Sequence, residues 1–76
     1  MRGFFMEYTV NFMYDDEAAA WIATSDEIIG LVLESESYDK LIEKVRLAVP
    51  ELLEMNGQPK ASKLNIISNK RQLVYT

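Results

Sequence analysis

Apolar and polar positions alternate along the start of the chain. From Phe4 to Tyr14 the even positions read Phe, Met, Tyr, Val, Phe and Tyr, while the odd ones include Glu7, Thr9 and Asn11 beside Phe5 and Met13. A period of two over this length, carried by aromatic and β-branched residues, predicts a strand with one face on a core. Ala19 to Thr24, centred on Trp21 and Ile22, predicts a second strand, and Leu31 to Ser35 a short third. The "DDEAAA" between the first two suits a hairpin loop, because Asp15 and Asp16 can hold nearby backbone amides. In "SDEIIG", Ser25 and Asp26 can close a turn and Gly30 can adopt a conformation denied to other residues. Ile28 and Ile29 are then expected to plug the end of the core.

At Ser37 the period lengthens to that of a helix. Ser37 is a good N-cap, and Asp39 puts negative charge in the first turn, where the helix dipole favours it. Lys40 stands where a capping box would have Glu or Gln. Leu41, Ile42, Val45, Ala48, Val49, Leu52 and Leu53 form a broad apolar stripe, with charged residues over much of the remaining surface. Pro50 falls inside the stripe and is expected to kink or break the helix. Asn56-Gly57 followed by Pro59 is a stop signal. Beyond it Leu64 to Ile67 and Leu73 to Tyr75 are β-type, with a slip of phase across "SNKRQ" that predicts a bulge, bend or turn. The fold class is α+β: an antiparallel sheet with one helix packed on one face, in the order β-β-β-α-β.

Seventy-six residues give one domain, spanning 1–76. A chain this short leaves a large share of its surface in water. It has neither cysteine nor histidine, so neither disulfides nor the usual zinc sites can compensate. Association with another chain is the remaining route to extra buried area. That argument predicts a homo-oligomer, a dimer or tetramer. The surface expected to serve is the sheet face opposite the helix, with Thr9, Asn11, Met13 and Trp21 as candidate members, Trp21 being equally placed to belong to the core.

The charge is uneven. All twelve acidic residues precede residue 60, against only Arg2, Lys40, Lys44 and Arg46, so that part carries −8. Lys60, Lys63, Lys70 and Arg71 give the remainder +4. An acidic body repels phosphate, so direct DNA or RNA binding is not expected. Tyr8, Phe12, Tyr14 and Tyr75 could stack on bases. Three of them share a strand face with Val10, which makes them core residues more simply. The serines have no evident activating base, the three glycines are too scattered for a phosphate loop, and the acidic run lacks metal-ligand spacing. No catalytic group, metal or cofactor is expected. No apolar run reaches the ~18 residues of a membrane span. The start reads as a strand rather than a signal peptide, which makes a cytoplasmic location the default.

The stretch "YDDEAAAWIATSDEIIGLVLESESYDKLIEKVRLAVPELLE" resembles the N-terminal domain of HicB-type antitoxins and their short relatives. The matching positions are Asp15 and Asp16 in an acidic turn, Trp21 to Ala23 in a strand and Ser25 to Asp26 in a polar corner. Ile28 to Leu31 and the helix capped by Ser37 complete the match. The resemblance implies a partial ribonuclease-H-like fold and a non-catalytic role. It implies neutralisation, by direct binding, of a small RNA-cleaving toxin of the HicA type. Longer members add a C-terminal helical or ribbon-helix-helix DNA-binding domain, which is not expected within residues 1–76. "LESES" also departs from the Gly-Asp common in the family before the cap. The other role open to such a chain is that of a self-assembling structural or regulatory domain with no toxin partner.

Overall fold

The strand-forming and helix-forming periods translate directly into elements in the computed structural model, which describes residues 6–69. They run β1 (Met6–Asp15), β2 (Ala20–Thr24), β3 (Val32–Ser35), α1 (Tyr38–Met55) and β4 (Ala61–Asn69). The four strands form one sheet in the order β3-β2-β1-β4. β1–β2 and β2–β3 are antiparallel, whereas β4 lies parallel to β1. The sheet is therefore mixed, not wholly antiparallel as the sequence predicts. Two antiparallel steps make β3 parallel to β1 and hence to β4. Joining parallel strands at opposite edges requires a crossover, and α1 supplies it. At 1.5 Å per residue, its 18 residues span about 27 Å, ample to cross four strands.

Alternation selects what β1 buries: Tyr8, Val10 and Phe12 are all within the core. Leu41, Val45, Val49 and Leu53, four residues apart along α1, meet them from above. The partly covered Ile42, Ala48 and Leu52 flank that line, so the helical stripe matches its sequence pattern. Ser37 caps the helix, its hydroxyl accepting from the Lys40 amide at 3.3 Å. The helix continues through Pro50 to Met55 without a break. Proline removes a single internal hydrogen bond, and the apolar contacts of Val49 and Leu53 on either side hold the segment helical. At the far end the Gly57 amide reaches the Glu54 carbonyl and the Gln58 amide the Leu53 carbonyl, the paired bonds of a Schellman stop. Gly57 takes the left-handed conformation this needs, with φ +64°.

The corner before β3 is built from side chains. β2 ends at Thr24, level with Asn11, and leaves Thr9 without a strand neighbour on that side. Ser25 Oγ donates to the Thr9 carbonyl, and Glu27 Oε1 accepts from the Thr9 amide at 2.5 Å. The Ser25 hydroxyl also accepts from the amides of Glu27 and Ile28. Gln58 and Asn56, just past the helix, clasp the corner through the backbone of Glu27 and Ile29. Ile28 is buried as the plug, but Ile29 is 58% exposed, so only one isoleucine fills that role. Adjacent residues in a tight corner point in different directions, and only one can face inward.

The acidic hairpin follows its turn chemistry. Asp15 Oδ1 accepts from the amides of Glu17 and Ala18, and Ala19 closes the loop at φ +52°. The strand expected at Leu64 to Ile67 forms the middle of β4. Ser68 and Asn69 continue it without a turn. The Leu73 to Tyr75 piece lies outside the described residues, as do Phe4 and Phe5. Among the described residues no helix is long and apolar enough to cross a membrane.

Candidate functional site

The sheet has two unlike faces. The helix side carries a row of aromatic rings. Tyr38, in the first turn of α1, meets Phe12 edge-on at 5.1 Å and Trp21 at 5.0 Å between ring centres, and Tyr14 meets Trp21 at 5.3 Å. The Tyr38 hydroxyl is hydrogen-bonded to Ser68 Oγ, so one ring ties α1 to β2, β1 and β4. Tyr8, buried in the same layer, donates to the Pro59 carbonyl at 2.6 Å.

The opposite face is open. Trp21 is opposite Tyr14 in the β1–β2 register, which puts it under the helix and not with Thr9, Asn11 and Met13. Met13 instead stands beside Ile22. Of the four residues expected to share this surface, three do, and Trp21 packs on the core side. β2 offers apolar side chains at consecutive positions, Trp21 and Ile22, so its own pattern does not say which one turns inward.

Strand pairing brings further residues to the open face. On one side of Asn11 is Thr24, on the other Ile67, and Thr9 is beside Asn65. Val32 stands next to Thr24 on β3. Met13 is 59% exposed, Val32 70% and Ile67 55%. Cross-strand neighbours lie about 5 Å apart and diagonal ones about 7–8 Å, so Met13, Ile22, Val32 and Ile67 form a chequered band with the Thr and Asn side chains. Charge is kept to the margins. Glu7 and Lys63 pair at 3.8 Å at one end, and Glu34 lies on β3 beside Ile22. Ile22, Val32 and Ile67 are absent from the sequence-based site. Val32 stands between Leu31 and Leu33, so no alternation marks it as outward-facing, and Ile67 reaches Asn11 only through the parallel pairing of β4.

The middle of this face can exclude water and donate or accept hydrogen bonds, but it holds no titratable group. Among the described residues no three acidic side chains converge to hold a metal ion. Such a surface is suited to binding another protein.

Residues 7–76 match the family described as a domain of unknown function, DUF1902. The chain is also similar to the crystal structure of a hypothetical protein, TTHA1013, from the extremely thermophilic bacterium Thermus thermophilus. The two are 34% identical with a TM-score of 0.73, over 92% of this chain and 100% of the other. No curated protein matches the chain.

Proposed function

We propose that this chain, which belongs to the DUF1902 family, is a non-catalytic protein-binding domain of the HicB-like antitoxin type. Its partner on this reading is a small, basic, RNA-cleaving toxin. The observation that carries the proposal is the open sheet face, where Met13, Val32 and Ile67 are more than half exposed among neutral Thr and Asn side chains. An apolar centre with polar surroundings is the composition of a protein interface. The acidic body adds complementarity, since a protein that binds RNA presents positive charge. The resemblance over the acidic turn, the polar corner and the Ser37-capped helix supplies the identity of the partner.

The test is to co-express the chain with the products of the genes that flank its own, a short basic protein among them being the expected partner. Relief of growth arrest and co-purification are expected, with both lost in Met13→Asp and Val32→Asp variants that keep the wild-type circular dichroism. A neighbouring protein that binds equally well to both variants, or not at all to the wild type, would overturn the reading. The apolar face also favours a second reading, a self-assembling domain with no toxin partner. Its mark is a stable oligomer of the purified chain at micromolar concentration.

A further inference from the structure

We infer that β4 is a self-pairing edge: two copies of this chain join antiparallel along it, about a two-fold axis at Asn65, into one eight-stranded sheet. This deepens the self-assembly reading by assigning its contact. Among the described residues β4 has no strand on its outer side, and it is nine residues long. Proteins usually guard such edges with proline, charge, bulges or brevity. The other edge, β3, has only four residues and includes Glu34. β4 contains no proline, and its single charge, Lys63, is already engaged by Glu7. Its one register shift, at Ser62, falls at the start of its pairing with β1 and leaves Lys63 to Asn69 regular.

The strand is complementary to itself. Asn65 is its midpoint, so an antiparallel copy sets Asn65 opposite Asn65 and Leu64 opposite Ile66. Leu64 and Ile66 are packed on the core yet only half-buried, and among the described residues no strand flanks them on the outer side. The pairing covers that flank with the same two residues from the second copy. On the open face Ile67 falls opposite Lys63, whose aliphatic stem can lie over it. The two Lys63 ammonium groups start from positions about 14 Å apart along the strands, beyond the ~8 Å screening length. A two-fold axis perpendicular to the sheet also keeps both open faces on one side. The Met13–Ile67 patches of the two copies then become neighbours in a larger surface.

The absence of cysteine allows a position-specific test in the full chain. Directly opposed residues of antiparallel strands have Cα atoms about 4.5–5.5 Å apart, within the span of a disulfide. Asn65→Cys is expected to cross-link fully on mild oxidation, and light scattering of the unmodified chain to give twice 8.7 kDa. Ser62→Cys should stay unlinked, because its own counterpart lies about 20 Å away. Asn65→Asp, exposed in the single chain, should weaken the dimer several-fold by placing like charges opposite each other. A folded monomer at micromolar concentration would end both the edge assignment and the self-assembly reading. A dimer that cross-links through Val32→Cys and not through Asn65→Cys would end the edge assignment alone.

Discussion

The hydroxyl of Ser25 donates to the carbonyl of Thr9 at 2.6 Å, standing in for the strand that has just ended. The same oxygen accepts two amides of the corner. Ser25→Ala removes all three bonds and is expected to cost about 1–3 kcal/mol. Urea unfolding should show a lower midpoint with an unchanged slope. Ser25→Thr, which keeps the hydroxyl, should recover much of the loss.

Ala19 holds a left-handed backbone at φ +52° in the hairpin. A side chain there is strained by about 1 kcal/mol, and glycine is free of that strain. Ala19→Gly is therefore expected to stabilise the fold by about 0.5–1 kcal/mol, visible as a rise in Tm. Ala18→Gly should bring no such gain, since Ala18 is not in that region.

Leu41 is fully buried in the line of α1 that faces Phe12, whereas Leu47 on the same helix is 74% exposed. Leu41→Ala should cost about 2–5 kcal/mol, comparable to the whole stability of a small domain. Loss of the helical signal at 25 °C would be the observation. Leu47→Ala should change stability by less than about 0.5 kcal/mol.

Trp21 is the sole tryptophan, and it is packed between Tyr14 and Tyr38. Its fluorescence should move to longer wavelength on unfolding in urea. Dilution of an oligomer formed through the open face or the β4 edge should leave the emission unchanged, because the ring faces the helix. A spectral shift on dilution would put Trp21 in the interface.

The chain's local signals and its distant ones were not equally readable. Ser37, Gly57 and the spacing from Leu41 to Leu53 mark α1 because each acts within a few residues. The alternation at Tyr8, Val10 and Phe12 identifies the buried face of β1 for the same reason. The direction of β4 has no such mark. It follows from where a crossover helix delivers Ala61, and that depends on the whole sheet. The sequence leaves the face of Trp21 open because Ile22 beside it is also apolar, and only pairing with Tyr14 resolves the choice. Three of the four expected interface residues share the open face since they lie on one strand, whereas Ile22, Val32 and Ile67 join them by pairing.

The parallel union of β1 with β4 has a consequence for synthesis. β1 is interior to the sheet, yet one of its two neighbours begins 46 residues after β1 ends, counting from Asp15 to Ala61. A nascent chain that has passed residue 55 can already offer the hairpin and the helix, but one side of β1 still lacks its partner. Contacts so distant along the chain slow folding, and an interior strand exposed in the meantime invites pairing with other chains. Assembly of this sheet therefore waits until Asn69 has left the ribosome, and until then one side of β1 is open to other chains.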